Sequence, residues 1–184
     1  ATSSDSWYLC EYDEAVPCEV LLVSFGSLSA DEENRGEKPG GRYEFVGAAK
    51  RVGATHSLFL RDASQLWYLG PGDHDVEPFG RFIRRVASEV AKLQPKRVVC
   101  VGASMGGYAA ARCALSLGAA LDEMGLSVPT LYDVRALSFG AQIFVDPRER
   151  QALQLPWATF DPALERLALQ EHQGIHFELE SLVR

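Results

Sequence analysis

The chain has 184 residues, of which 47% are apolar and 23% charged, and its 18 basic and 25 acidic side chains give a net charge of −7. These proportions are typical of a globular protein, and this length is enough to bury one sizeable core. We therefore expect a single domain over residues 1–184, with its core in 19–184 and an extension or edge strand in 1–18. The acidic balance excludes a general nucleic-acid binder, because no basic excess is present to displace counterions from phosphates.

The sequence also predicts no membrane span, secretory signal, metal site or cofactor. It contains no run of 18 apolar residues, and its first residues do not combine a basic segment with an apolar one. The four cysteines and four histidines are scattered, without Cys-x-x-Cys spacing, so no zinc site is expected. Cys100 lies in an apolar run and Cys113 in a helix of small residues, and we expect both to be buried thiols, which favours a reducing compartment such as the cytoplasm or an organelle interior.

Apolar periodicity predicts that strands alternate with helices along the chain. In chain order, the sequence predicts an edge strand at 7–12, a buried strand at 20–25, a loop at 29–41, a helix at 43–52, a strand at 55–61, a long loop at 62–78, a helix at 79–93, a strand at 97–101, a helix at 105–117, a strand at 134–139, a helix at 161–174 and a strand at 175–183.

This alternation indicates an α/β fold, a three-layer α/β/α sandwich around a mostly parallel sheet. Ligands of such sheets bind beyond the carboxyl ends of the strands. Four segments therefore become candidates for a functional site, and they are residues 25–27, 61–68, 102–107 and 139–146.

The strongest chemical signal is Gly-Ala-Ser-Met-Gly at residues 102–106, followed by Gly107. It matches the Gly-x-Ser-x-Gly nucleophile elbow, in which a serine stands on a sharp turn between a strand and a helix. The context fits, because an apolar strand ends at Gly102 and a helix is predicted directly after Ser104. The alternative is a tight strand-to-helix turn whose serine is chemically inert.

Residues 102–106 together with two other segments resemble the α/β-hydrolase superfamily, and in particular a group of small hydrolase-like domains. The first segment, residues 60–68, contains Arg-Asp-x-x-Gln-x-Trp-Tyr, and the second, residues 137–147, contains Gln-x-x-x-Asp-Pro. The resemblance covers roughly residues 20–182. Its most widely shared motif is the elbow, and the other two segments are more specific.

The resemblance implies a role for four residues around the elbow. Ser104 would be the nucleophile, and the backbone amide of Met105 would supply half of the oxyanion hole. The other amide would come from the loop after the first buried strand, at Gly26 or Ser27.

The acid and the base depart from the superfamily pattern, in which the acid and then the histidine follow the nucleophile. The expected strand at 175–183 is followed only by Arg184, so the usual C-terminal acid and histidine have no counterpart, and we expect an incomplete triad or one that uses other residues. Asp146 stands where some superfamily members place the acid, although it also suits a loop cap. His74 lies in a loop at the correct edge of the sheet, although it also suits a solvated turn. The remaining histidines fit ordinary structural positions, and they are His56, His172 and His176.

A pocket above the serine is expected from residues in the two specific segments. Gln65, Trp67, Tyr68 and Gln142 are candidates to line it, and packing of a long loop is the competing interpretation. Asp62 belongs to the same group, with bracing of the loop as its alternative role.

Two functions follow from these observations. The first is a serine hydrolase or acyltransferase that acts on an ester or thioester bond of a small acyl substrate through Ser104. The alternative is a catalytically silent protein that keeps the hydrolase sheet and serves as a subunit or scaffold among protein partners. Neither a Gly-x-Gly-x-x-Gly dinucleotide motif nor a Gly-Lys-Ser/Thr phosphate loop is present to support a nucleotide cofactor.

Overall fold

The computed structural model describes residues 2–5, 7–13, 15–28, 43–69, 79–141 and 151–154 of the chain. Its strands are β1 (Thr2–Asp5), β2 (Tyr8–Tyr12), β3 (Val20–Phe25), β4 (His56–Leu60), β5 (Arg97–Ala103) and β6 (Asp133–Phe139). Its helices are α1 (Val46–Arg51), α2 (Gly80–Leu93) and α3 (Met105–Glu123).

Most element positions agree with the apolar pattern, and two helix ends differ. The helix predicted at 43–52 begins only at Val46, because Phe45 has a left-handed backbone with φ of 61°. The helix predicted at 105–117 continues to Glu123, because Ala120 and Leu121 extend its buried face by a further turn. The helix predicted at 161–174 and the strand predicted at 175–183 lie outside the described residues.

The strand predicted at 7–12 is present as β2, but it is not at the edge of the sheet. It pairs antiparallel with β4 on one side and antiparallel with β1 on the other. The polar sequence of β1, Thr-Ser-Ser-Asp, carries no apolar alternation, so periodicity gave no sign of this outer strand.

The six strands form one sheet in the order β1-β2-β4-β3-β5-β6. The neighbours β4, β3, β5 and β6 are all parallel, so their carboxyl ends lie at the same edge of the sheet. In the pairing of β3 with β5, Phe25 lies level with Gly102. The loop after β3 and the turn after β5 therefore begin side by side, which positions the site described below.

The helices lie on both faces of β3, with α2 and α3 on one face and α1 on the other. Leu21, Val23 and Phe25 alternate along this strand and belong to the buried cluster that also contains side chains of α2 and α3. Ser24 points to the opposite face, where its hydroxyl donates a hydrogen bond of 2.8 Å to the carbonyl oxygen of Glu44, just before α1. Helices thus cover both faces, and the predicted three-layer α/β/α sandwich with a mostly parallel sheet is confirmed. The single domain over 1–184 stays a prediction.

None of the helices that the structure describes combines the length and the apolar character needed to cross a lipid bilayer.

Candidate functional site

Ser104 occupies the sharp turn between β5, which ends at Ala103, and α3, which begins at Met105. Its backbone has φ of 50° and ψ of −121°, a combination that residues with a Cβ rarely adopt. Such a conformation costs on the order of 1–3 kcal/mol and persists only where the surrounding structure enforces it. The predicted strand, turn and helix around Ser104 are therefore all present, and the serine itself carries the strain.

The glycines around Ser104 allow the backbones to approach each other closely. A Cβ at Gly102 would overlap the backbone carbonyl of Gly106, and a Cβ at Gly106 would overlap the carbonyl of Phe25. A Cβ at Gly107 would stand 2.9 Å from Oγ of Ser138, which donates a hydrogen bond to the Gly107 carbonyl. The spacing of glycines in the motif is thus a packing requirement of this turn.

The amino terminus of α3 presents backbone amides beside Ser104. Met105 is the first residue of the helix, and an amide at this position has no partner within the helix. The side chain of Ser104 does not cap the helix. The helix dipole adds partial positive charge at this end, which suits a developing oxyanion.

The loop after β3 is held by hydrogen bonds at each of its first two residues. The amide of Gly26 donates to the carbonyl of Leu60 at 2.9 Å, so this N–H group is already used by the sheet. The hydroxyl of Ser27 is hydrogen-bonded to the carboxylate of Glu44. Of the two candidates for the second oxyanion amide, the geometry therefore disfavours Gly26 and leaves Ser27.

Asp62 is a buried brace of the loop after β4 and is only 1% exposed. Its Oδ1 accepts hydrogen bonds from the amide and hydroxyl of Ser64, at 3.0 and 2.5 Å. Its Oδ2 accepts from the amides of Leu66 and Tyr68, at 2.7 and 2.9 Å. All four bonds are internal to the loop, which agrees with the bracing role and not with the lining of an open pocket.

The three residues expected to line a pocket from this loop are all buried. Trp67 and Tyr68 are fully buried, and Gln65 is 6% exposed. All three have left-handed backbones, with φ of 53° for Gln65, 55° for Trp67 and 61° for Tyr68. Oε1 of Gln65 is buried without a hydrogen-bond partner among the described residues, which costs about 1–3 kcal/mol unless a water or ligand donor satisfies it.

The described histidine, His56, lies far from Ser104 along the sheet. It begins β4, at the edge opposite the carboxyl ends, and its Nδ1 is 2.9 Å from the hydroxyl of Thr55. Burial lowers its pKa from the ordinary value of 6.5, against the opposing field of Asp13. His74, Asp146 and Gln142, and with them His172 and His176, lie outside the described residues, so the acid and base stay predictions from the sequence.

The thiols predicted to be buried are buried, since Cys100 and Cys113 are both 0% exposed. The pKa of Cys113 is raised well above its ordinary value by a hydrogen bond with Cys100 and by burial. Cys10 is a further buried thiol, and burial together with the neighbouring Glu89 raises its pKa to about 12. Within the described ranges, no three side chains of metal-ligating type come together.

Two residues near the site were missed by the sequence analysis in their actual roles. Glu44 has no motif around it, and only the fold brings it to Ser27. Tyr68 was a candidate for pocket lining or for loop packing, and its hydroxyl donates to the carbonyl of Gly26 at 2.9 Å and approaches that of Leu60 at 3.3 Å. The sequence pointed to Tyr68 through the Trp-Tyr pair of residues 67 and 68. That local motif does not reveal the contact of Tyr68 with Gly26, which is 42 residues away in the chain.

Comparison with known proteins gives a fold and not a family. No family model matches the chain, and no curated protein matches it. The structure of the Glycosylation Associate Protein complex (Gap123) of Streptococcus agalactiae covers 92% of this chain, with 14% identity and a TM-score of 0.52, and this chain spans only 32% of that one. The second structure is FphF, a fluorophosphonate-binding serine hydrolase of Staphylococcus aureus solved with substrate bound. The match covers 100% of this chain and 70% of the FphF chain, with 16% identity and a TM-score of 0.53. At these identities the likeness is one of fold alone, an α/β fold with helices flanking the sheet, which this chain shares with a serine hydrolase.

Proposed function

We propose that this chain is a serine hydrolase or acyltransferase that cleaves an ester or thioester bond of a small acyl substrate, with Ser104 as the nucleophile. The observation that carries the proposal is the backbone of Ser104, with φ of 50° and ψ of −121° at a turn packed too tightly for any residue except glycine at 102 and 106. Backbone strain of this kind is concentrated at functional sites, where it forms part of the mechanism. The turn is then a nucleophile elbow.

The proposed reaction begins when the Ser104 hydroxyl attacks the acyl carbonyl and gives its proton to a general base. The carbonyl oxygen becomes an oxyanion, and the amides of Met105 and Ser27 donate hydrogen bonds to it. Collapse of this intermediate expels the alcohol or thiol, which takes up the proton, and leaves an acyl group on Ser104. Water then releases the acid in a hydrolase, and a different hydroxyl or thiol accepts the acyl group in a transferase.

The base in this scheme is proposed to be His74, with Asp146 as the acid that orients it. A serine hydroxyl is a poor nucleophile near neutral pH without such a base. The loss of the base alone lowers the rate by orders of magnitude. An enzyme without a functional His74 and Asp146 is therefore expected to be nearly inactive.

The test is labelling by a fluorophosphonate probe, read by intact mass and by the site of the adduct. Wild-type protein is expected to gain one adduct on Ser104, and Ser104→Ala to gain none. Ser88→Ala is the matched control, because Ser88 is an exposed serine on α2 whose hydroxyl donates to the Arg84 carbonyl. Loss of labelling in His74→Ala would support the proposed base, and full labelling there would overturn it.

The second candidate is a non-enzymatic subunit of a larger assembly. It is favoured by the likeness to Gap123, which is described as a complex associated with glycosylation, although this likeness extends to the fold alone. Absence of any phosphonyl adduct on a folded wild-type chain would support this second function over the first.

A further inference from the structure

The loop after β3 is held by Tyr68, a residue that has no role in the reaction steps described above. Tyr68 is fully buried, and its hydroxyl donates to the carbonyl oxygen of Gly26 at 2.9 Å. The same hydroxyl lies 3.3 Å from the carbonyl of Leu60, which also accepts the amide of Gly26 at 2.9 Å. Both polar backbone groups of Gly26 are therefore held from the side of β4.

The direction of the next amide follows from peptide geometry. The carbonyl of Gly26 and the N–H of Ser27 belong to one planar trans peptide unit, in which the two bonds point in opposite directions. A bond that holds the carbonyl toward Tyr68 therefore turns the Ser27 N–H away from Tyr68. Among the described residues, no group accepts a hydrogen bond from this N–H.

The parallel pairing of the sheet starts the loop of this amide beside the strand that leads to the nucleophile. Phe25 pairs with Gly102, and Ser27 and Ser104 each follow two residues after these paired positions. Gly106 confirms the closeness of the two segments, because a Cβ there would meet the carbonyls of Phe25 and Gly26.

We propose that Tyr68 is a positioning residue that orients the peptide unit between Gly26 and Ser27, so that the Ser27 amide serves as the second oxyanion donor. The proposal rests on the proposed function of Ser104 and adds to it the group that preorganises the oxyanion hole. Rings of Phe25 and Phe82 pack edge-on against Tyr68, with centroids 5.5 and 4.7 Å away, and limit its movement. Donors that are fixed before the reaction stabilise an oxyanion without a reorganisation cost.

The phenol also keeps the proton that this role requires. Burial, with the fields of Asp62 and Glu44 in addition, raises the pKa of Tyr68 well above its ordinary value of 10. The hydroxyl is thus a hydrogen-bond donor throughout the neutral and moderately alkaline range.

The first experiment compares Tyr68→Phe with wild-type protein in fluorophosphonate labelling and in hydrolysis of p-nitrophenyl acetate. The loss of a well-placed oxyanion donor costs on the order of 10²- to 10³-fold in kcat, so a misdirected donor is expected to cost about 10- to 100-fold. The reduction is expected in kcat and in the labelling rate, with KM changed less than about twofold. Tyr12→Phe is the control, because Tyr12 loses a hydrogen bond with Lys92 at the other edge of the sheet. A folded Tyr68→Phe protein with wild-type kcat would overturn the proposal.

The second variant, Ser27→Pro, removes the proposed donor and leaves Tyr68 untouched. It is expected to lose labelling at least as strongly as Tyr68→Phe, by about 10²- to 10³-fold, and wild-type labelling would overturn the role of the Ser27 amide. Residual dipolar couplings of the Ser27 N–H in wild-type and Tyr68→Phe proteins measure its direction without any activity. If wild-type protein is not labelled at all, the function proposed for Ser104 fails, and an unchanged coupling would then also reject the positioning role of Tyr68.

Discussion

The carboxylate of Asp62 accepts a hydrogen bond of 2.9 Å from the backbone amide of Tyr68, six residues along the chain. This bond closes the loop after β4 around one buried side chain and brings the Tyr68 ring under the loop after β3. The stability of the candidate site therefore depends on Asp62, a residue that has no role in the proposed reaction.

Asp62→Ala is expected to lower the free energy of unfolding by about 3–5 kcal/mol. The substitution leaves the amides of Leu66 and Tyr68 buried without acceptors, and hydrogen bonds to a charged group are worth about 1.5–3 kcal/mol each. Urea unfolding followed by circular dichroism measures the change. Asp122→Ala, at an exposed position on α3, is the control and should change the value by less than about 0.5 kcal/mol. A loss below 1 kcal/mol in Asp62→Ala would contradict the bracing role.

Glycine-to-alanine substitutions at two positions should have opposite effects. Gly106→Ala is expected to destabilise the fold by about 3 kcal/mol or more, because its Cβ would overlap the carbonyl of Phe25. Gly118→Ala, on the same helix, meets nothing within 4 Å and should stabilise by about 0.5–1 kcal/mol through the higher helix propensity of alanine. Chemical denaturation of both variants gives the comparison, and equal midpoints would reject the packing account of the motif.

Relief of the strain at Ser104 should stabilise the protein. Ser104→Gly is expected to raise the free energy of unfolding by about 1 kcal/mol, because a relief of about 1–3 kcal/mol is partly offset by the greater chain entropy of glycine. Ser104→Ala keeps a Cβ at φ of 50° and should stay close to wild type in stability. Thermal and urea unfolding of the two variants test this, and an unstrained turn would be indicated if glycine gave no gain over alanine.

The stability of the protein should depend on the protonation of His56. Its pKa is lowered in the folded state by burial, so the unfolded chain binds the proton more readily. The contribution of neutral His56 to the free energy of unfolding is therefore fully present above pH 6.5. It is lost as the pH falls below that value toward the pKa of the folded state. The free energy of unfolding, measured between pH 8 and pH 5, is therefore expected to decline less steeply in His56→Asn than in wild-type protein. Parallel declines would mean that His56 titrates alike in both states.

The sequence by itself determined the order of the described elements from β2 to β6 and the position of Ser104 between a strand and a helix. Apolar runs such as 20–25 and 97–101 and the spacing of glycines in 102–106 are local patterns, and local patterns predict local structure. The same patterns predicted that Cys100 and Cys113 are buried, because an apolar strand and a helix of small residues belong in a core.

Only the tertiary structure decided which polar groups meet at the carboxyl edge of the sheet. The bond from Tyr68 to Gly26 spans 42 residues, and the contact between Ser27 and Glu44 spans 17 residues of chain without a periodic pattern. The pairing of β2 between β1 and β4 has the same origin, since hydrogen bonds between strands depend on register and not on the sequence of one strand. Residues 60–68 could be recognised as a resembling segment, but whether their side chains line a pocket or brace a loop depends on three-dimensional packing. In the structure the carboxylate of Asp62 accepts four hydrogen bonds from its own loop.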